Sequence, residues 1–133
     1  LLNGVTANLD ALHKLNDEIP DKQLSDAMDR MEKAGRSIAD TVARTPDKAR
    51  NVDRFARYYL PEMVKLMGAY AELEKQGVKG DNAAQIEADL RRNADTTAAA
   101  FENLLDALYS AEAMDISTDI EVLENIMRGQ NLT

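Results

Sequence analysis

A short basic stripe beside a tyrosine is the part of this chain best suited to chemistry. Arg50, Arg54 and Arg57 follow one another at spacings of four and three residues, which places their guanidinium groups on one side of a helix. Tyr58 comes directly after them, and Lys48 is nearby. Guanidinium groups bind phosphates, anionic lipid headgroups and carboxylates. We predict that the three arginines and Tyr58 form a contact surface for an anion or a partner, although pairing with acidic helices of the same domain is the commoner use of such arginines.

Two further groups of residues have the types that metal sites use. Asp10 and His13 lie three residues apart, which is half of a pattern found in di-iron bundles, but His13 is the only histidine. We therefore expect a surface or interhelix histidine. The second group is acidic and consists of Asp115, Asp119, Glu121 and Glu124. Its spacing fits no calcium loop, and a helix N-terminus explains such residues, so we predict no metal ligand and no cofactor.

The composition limits the classes of protein that the chain can represent. Its 133 residues, 44% of them hydrophobic, suffice for one domain with a core, and we treat 1–133 as a single domain. A net charge of -8 argues against a nucleic-acid partner, because nucleic-acid-binding proteins cluster Lys and Arg. The absence of cysteine favours a cytoplasmic location. Since the chain begins with Leu1 rather than Met, we expect a piece of a longer protein, whose missing part would carry any membrane-associating segment.

Apolar residues at three- and four-residue spacings predict two helices at the start of the chain. The first runs from Leu2 to Ile19 and ends at Pro20. The second begins at Asp21, whose carboxylate can accept a hydrogen bond from an unpaired backbone N–H. Gly35 occupies one position of its apolar row, where the missing side chain allows another helix to approach closely.

A third helix contains a proline in its middle. Thr45 and Pro46 give a start signal, because the threonine hydroxyl can cap the helix and proline suits its first position. The apolar positions keep their register across Pro61. We therefore expect this proline to kink the helix without ending it.

The register of the third helix divides its tyrosines and methionines into two groups. An uninterrupted α-helix would bury the residues on its apolar row. The tyrosines and methionines on that row are Tyr59, Met63 and Tyr70. Tyr58 and Met67 fall toward the edge of the row, and we expect them to be contact residues instead.

The last part of the chain predicts a helical hairpin and a short final helix. The segment from Gln76 to Asp81 has the residues of a link between antiparallel helices, and the fourth helix extends to about Met114. Thr118-Asp119-Ile120-Glu121 has a capping-box pattern, which predicts a short helix that stops at Gly129. We therefore predict an all-α fold: an antiparallel helical bundle of three long helices, one kinked at Pro61, with shorter terminal helices.

The stretch from Phe55 to Leu73, with Phe-x-x-Tyr-Tyr-Leu-Pro at its start, resembles the XpaC family, which is named for 5-bromo-4-chloroindolyl phosphate hydrolysis. TelA-like toxic-anion resistance proteins are looser relatives. Most of the chain follows the same order of segments, with a helix before Pro46, a long helix through Phe101 and a closing run at 118–124. The resemblance implies membrane-associating sequence before the helical domain, and it supplies no catalytic residues.

Three functions stay open at this point. We favour a non-catalytic interaction or scaffold domain of an XpaC-like protein at the cytoplasmic membrane surface, which binds a protein partner or another copy, because no catalytic set of known spacing is present. The family name implies phosphate-ester hydrolysis instead, with the arginines on the phosphate and unidentified carboxylates on a divalent metal. The third function is binding of an anionic membrane surface through the arginine stripe.

Overall fold

The computed structural model describes residues 1–130, and five α-helices contain most of them. They are α1 (Leu2–Glu18), α2 (Lys22–Arg44), α3 (Leu60–Lys75), α4 (Asp81–Leu108) and α5 (Ser110–Gly129). A 3-10 segment (Pro46–Val52) and a single π-helical turn (Phe55–Tyr59) lead into α3. Residues 1–130 contain no strand, so the predicted all-α fold is confirmed.

Polar contacts between α1 and α2 show that these two helices are antiparallel. Asn16, near the end of α1, donates to Asp29 at 2.6 Å. Asp10, further back in α1, accepts from Arg36, further along α2, at 3.0 Å. The hairpin therefore forms as the Pro20 break predicts.

Helices α2 and α4 run parallel and form the most extensive helix–helix contact in residues 1–130. Arg91 of α4 pairs with Asp21 at the start of α2, at 2.5 Å. Further along both helices, Arg30 pairs with Glu102 at 2.6 Å. Small buried residues of α4 face the core between these ion pairs, namely Ala94 and Ala98. Side chains this small allow the two helix axes to approach closely.

Gly35 of α2 is the point where α1 packs most tightly. A Cβ atom added to Gly35 would lie 2.6 Å from Cδ2 of Leu9, a buried residue of α1. The predicted close approach of another helix at this glycine is confirmed.

The two predicted helix starts at Asp21 and Thr45 have different outcomes. The Asp21 carboxylate accepts from the backbone N–H of Leu24 at 2.9 Å, so this cap is confirmed. Pro46 occupies the first helical position, as predicted, but the helix there is 3-10 and the Thr45 side chain makes no capping hydrogen bond. The predicted threonine cap is wrong, because the N–H of Lys48 donates to the backbone carbonyl of Thr45 rather than to its hydroxyl.

The interruption predicted at Pro61 takes the form of a π-turn directly before it. The N–H of Leu60 donates to the carbonyl of Phe55, five residues earlier. Proline has no N–H, and in a regular α-helix its ring would collide with the carbonyl of Arg57. The π-turn contains one residue more than an α-helical turn, and it changes the backbone conformation at the point where the proline ring and this carbonyl would collide. The chain then continues as α3 without a break.

The π-turn changes which tyrosines and methionines are buried. Because Phe55 and Leu60 are five residues apart and both buried, Tyr59 between them turns outward and is 53% exposed. The prediction that Tyr59 belongs to the core is therefore wrong. Met67 is fully buried at 0% exposure, so its predicted place at the edge is also wrong. The predicted burial of Met63 is confirmed, and Tyr70 is buried as well.

Helix α5 begins earlier than the capping-box pattern predicts. Helix α4 ends at Leu108 rather than near Met114, and only Tyr109 separates it from Ser110. Thr118 therefore lies inside α5 and caps nothing. The final helix has 20 residues, so the prediction of a short one is wrong.

Lys48 explains why the break falls at Tyr109. Its ammonium group binds the carbonyl oxygen of Leu108 and pairs with Glu112 at 2.6 Å. The same group lies 5.3 Å from the centre of the Tyr109 ring. The Tyr109 hydroxyl is 2.9 Å from the Thr41 hydroxyl. A lysine from the 3-10 segment thus binds the end of α4 and the first turn of α5 together.

Replacing Gly35 by valine is expected to lower the free energy of unfolding by about 1–3 kcal/mol, because the new side chain would collide with Leu9. Urea titration measures this change. Gly68→Ala in α3 is the matched control, since nothing lies within 4 Å of an added Cβ there. Better helix propensity should raise the stability of that variant by about 0.5–1 kcal/mol. Equal losses in both variants would contradict a specific contact at Gly35.

The His13–Glu32 pair between α1 and α2 predicts a pH-dependent stability. Glu32 accepts a hydrogen bond from His13 at 2.9 Å and raises the pKa of the imidazole above its usual value. A raised pKa adds stability at low pH that disappears as the pH rises through the folded-state value. The melting temperature of the wild type, relative to His13→Gln, should therefore fall as the pH rises above the ordinary histidine pKa of about 6.5. Parallel melting profiles for the two proteins would show that the pair contributes nothing.

Candidate functional site

The predicted contact residues lie on the exposed side of the segment that precedes α3. Arg50 belongs to the 3-10 segment, and Arg57 and Tyr58 belong to the π-turn. Arg54 lies between the 3-10 segment and the π-turn. All four side chains are exposed, and Tyr58 is 64% exposed. The structure keeps these residues on one segment, but they form no regular α-helical stripe because the backbone geometry changes from 3-10 to π within them.

The arginines of this segment differ in their charge environment. Arg57 donates from Nε to Asp53 at 2.6 Å, and this hydrogen bond raises the pKa of the guanidinium above its usual value. Within residues 1–130, no carboxylate lies within ion-pair distance of Arg50 or Arg54. Arg57 is therefore paired within its own segment, whereas Arg50 and Arg54 keep their hydrogen-bond donors for another anion. Binding of an anionic membrane surface by these residues stays a prediction.

An apolar groove lies beside the arginines, where α3 and α4 separate. These two helices touch at few points, because α4 packs its buried face on α2. The groove between them, which we call the α3–α4 groove, has a volume of about 370 Å³. The residues that line it include Tyr59, Met63, Leu66, Thr97, Ala100 and Phe101.

A pair of phenylalanines lines a smaller cavity that adjoins the groove at the end nearest Arg54. The rings of Phe55 and Phe101 meet edge to face, with centroids 4.8 Å apart and planes at 82°. This smaller cavity of about 240 Å³ shares Tyr59, Ala100 and Phe101 with the groove and extends it to Arg54. The side of α4 that lines both cavities also has no charge, although 30% of the whole chain is charged. That uncharged row is the sequence signal that could have indicated the groove.

Helix α5 presents an apolar row that no other part of residues 1–130 buries. Ile116, Ile120 and Leu123 are 59%, 51% and 55% exposed, and Met127 continues the row at the same spacing. We call these four residues the α5 stripe. No residue of α5 is buried. Soluble monomers rarely expose apolar side chains in such a continuous row, so the stripe has the character of an interface.

The charged residues of α5 are almost all acidic. Helix α5 contains five acidic residues and one arginine. The acidic residues are Glu112, Asp115, Asp119, Glu121 and Glu124. The explanation of Asp119 and Glu121 by a helix N-terminus is wrong, because α5 begins at Ser110 and both residues lie in its middle. Within residues 1–130, no group of three or more His, Asp or Glu side chains is placed to hold a metal ion. Every helix in the same range is too short or too polar to cross a lipid bilayer.

A comparison with protein families covers nearly the whole chain. No curated protein and no solved structure shows significant similarity to it. No match supports the looser resemblance to TelA-like proteins, which stays a prediction. A family model described as 5-bromo-4-chloroindolyl phosphate hydrolysis protein matches residues 2–123, which include the arginine segment, the groove and most of the α5 stripe. The chain therefore belongs to the family of 5-bromo-4-chloroindolyl phosphate hydrolysis proteins, as its resemblance to XpaC indicates.

Proposed function

We propose that this chain is a non-catalytic helical interaction domain that associates with a second copy of itself. The observation that carries the proposal is the α5 stripe, an apolar row exposed along a helix with no buried residue. Its members follow three- and four-residue spacings, which is the pattern of a helix that packs against a partner. At the cytoplasmic face of a membrane, as the resemblance implies, such a domain would assemble copies side by side.

The stability of α5 gives a second reason to expect a partner. Helices in proteins gain most of their stability from packing an apolar face rather than from intrinsic helix propensity. Helix α5 obtains little packing from α1, α2 or α3 in the structure. Burial of one leucine or isoleucine side chain contributes about 1.5–3 kcal/mol. A partner that covers the stripe would therefore stabilise α5 and the complex at the same time.

Leu123→Glu is expected to weaken self-association at least about tenfold, because a carboxylate would replace an apolar contact of more than roughly 1.4 kcal/mol. Sedimentation equilibrium of the purified chain measures the dissociation constant. Val122→Glu is the matched control, since Val122 is 52% exposed but lies outside the stripe on the same helix. That control should associate nearly as the wild type does.

Both variants change exposed positions, so both should fold, and circular dichroism checks that each retains a helical spectrum. The proposal would be contradicted by a wild-type chain that stays monomeric at tens of micromolar. Equal weakening by the two substitutions would also contradict it, because a general effect of added negative charge would then explain the result.

Phosphate-ester hydrolysis is the second candidate, and the family description favours it. Arg50 and Arg54 are the side chains best placed to bind a phosphate, because both are exposed and neither pairs with a carboxylate within residues 1–130. Hydrolysis also requires a nucleophile or a metal-activated water near the bound phosphate. We assign neither to a residue of this chain.

An assay of 5-bromo-4-chloroindolyl phosphate tests this candidate directly. The purified chain would be incubated with the ester, alone and with Mg²⁺, Mn²⁺ or Zn²⁺, beside the variants Arg54→Glu and Arg92→Glu. Arg92 is the control, because it is exposed on α4 and pairs with Asp89 at 2.9 Å. The interaction domain predicts no turnover by any of the three proteins. Turnover that Arg54→Glu loses and Arg92→Glu retains would overturn the non-catalytic proposal.

A further inference from the structure

We infer that α5 of one copy occupies the α3–α4 groove of a second copy, and that the second copy's α5 returns to the first. This inference rests on the proposed self-association and names its geometry. Both surfaces are apolar and lack a covering element within residues 1–130: one is a convex stripe on a helix, and the other is a groove between two helices. A helix lying in a groove of this kind is a common mode of recognition.

The stripe and the groove match in length. The α5 stripe extends over eleven residue steps, from Ile116 to Met127. The wall of α4 that lines the groove and its extension also covers eleven steps, from Asn93 to Leu104. At the rise of an α-helix both distances are roughly 17 Å. The apolar row would therefore be covered along its whole length.

Charge favours the groove over a second α5 as the partner of the stripe. Asp119 and Glu124 flank the stripe, so two paired α5 helices would bring carboxylates together. The groove instead has Arg54 at one end, and the side of α4 that lines it is uncharged. Glu62 is an acidic exception in its lining. An acidic helix is thus better matched by the groove than by its own copy.

The junction between α4 and α5 explains why the occupant comes from a second copy. Helix α5 would have to reverse direction to lie along its own α4, and such reversals use loops of about 2–5 residues. Tyr109 is the one residue between the two helices. It is held through its hydroxyl, 2.9 Å from that of Thr41, while Lys48 binds Leu108 and Glu112 on either side. These contacts keep α5 away from the groove of its own chain.

Reciprocal exchange also closes the assembly. Each copy would supply one α5 and one groove, so the same two surfaces meet twice around a two-fold axis. A dimer of this kind leaves neither surface uncovered and cannot grow into a filament. Sedimentation should therefore show a dimer as the largest species.

Introduced cysteines test the arrangement, because the natural chain has none. Leu123→Cys lies in the middle of the stripe, and Thr97→Cys lies in the middle of the groove. The two variants would be mixed, one of them with a fusion tag that identifies it by mass, and treated with a short bismaleimide. We expect a cross-linked heterodimer in the mixture and little product from either variant alone. Val122→Cys mixed with Thr97→Cys is the control, and its cross-linking should be lost because Val122 lies outside the stripe.

Each alternative arrangement gives a different product. Strong cross-linking of Leu123→Cys alone would show that two α5 helices pair, which overturns the groove and leaves the self-association proposal intact. A third sample is a chain that carries both Leu123→Cys and Thr97→Cys. A cross-link only within that chain would show that α5 folds back on its own groove, which also overturns the inference. A monomer in sedimentation, with no cross-link in any mixture, would overturn both the inference and the proposed function.

Discussion

The parallel packing of α4 on α2 is the constraint on which the rest of the structure depends. Two ion pairs, Arg91 with Asp21 and Arg30 with Glu102, join the first half of α2 to α4. Ala94 and Ala98 let the helices approach closely between these pairs. One face of α4 is therefore committed to α2. Helix α3 packs on α1 and reaches α4 at few points. The π-turn before α3 meets α4 where the ring of Phe55 contacts that of Phe101. The α3–α4 groove results from this division of contacts.

The sequence predicts those parts of the fold that depend on local patterns. The cap at Asp21 and the close approach at Gly35 follow from the residues themselves, because each needs only a small set of neighbours. The burial of Tyr59 and Met67 was predicted wrongly, since a periodicity argument assumes one continuous α-helix. The end of α4 could not be predicted for another reason: Lys48, which binds that end, lies 60 residues earlier in the chain.

The candidate site likewise has features that the sequence predicts and features that only the structure reveals. Exposed arginines follow from a charge pattern, and the structure finds Arg50 and Arg54 exposed. The groove is a space between two helices, so no single segment encodes it. The α5 stripe was visible as an apolar periodicity, but a periodicity does not reveal whether a partner within the same chain exists. Only the packing of α1 to α4 shows that the row is left uncovered.

The π-turn before Pro61 also affects how related sequences can be compared with this one. A π-turn contains one residue more than the α-helical turn that it replaces. The buried positions before Phe55 and after Leu60 are therefore out of phase with a single uninterrupted helix. A relative with a regular α-helix here would need a one-residue gap between these two positions. An alignment that forbids the gap would set buried residues of one protein against exposed residues of the other.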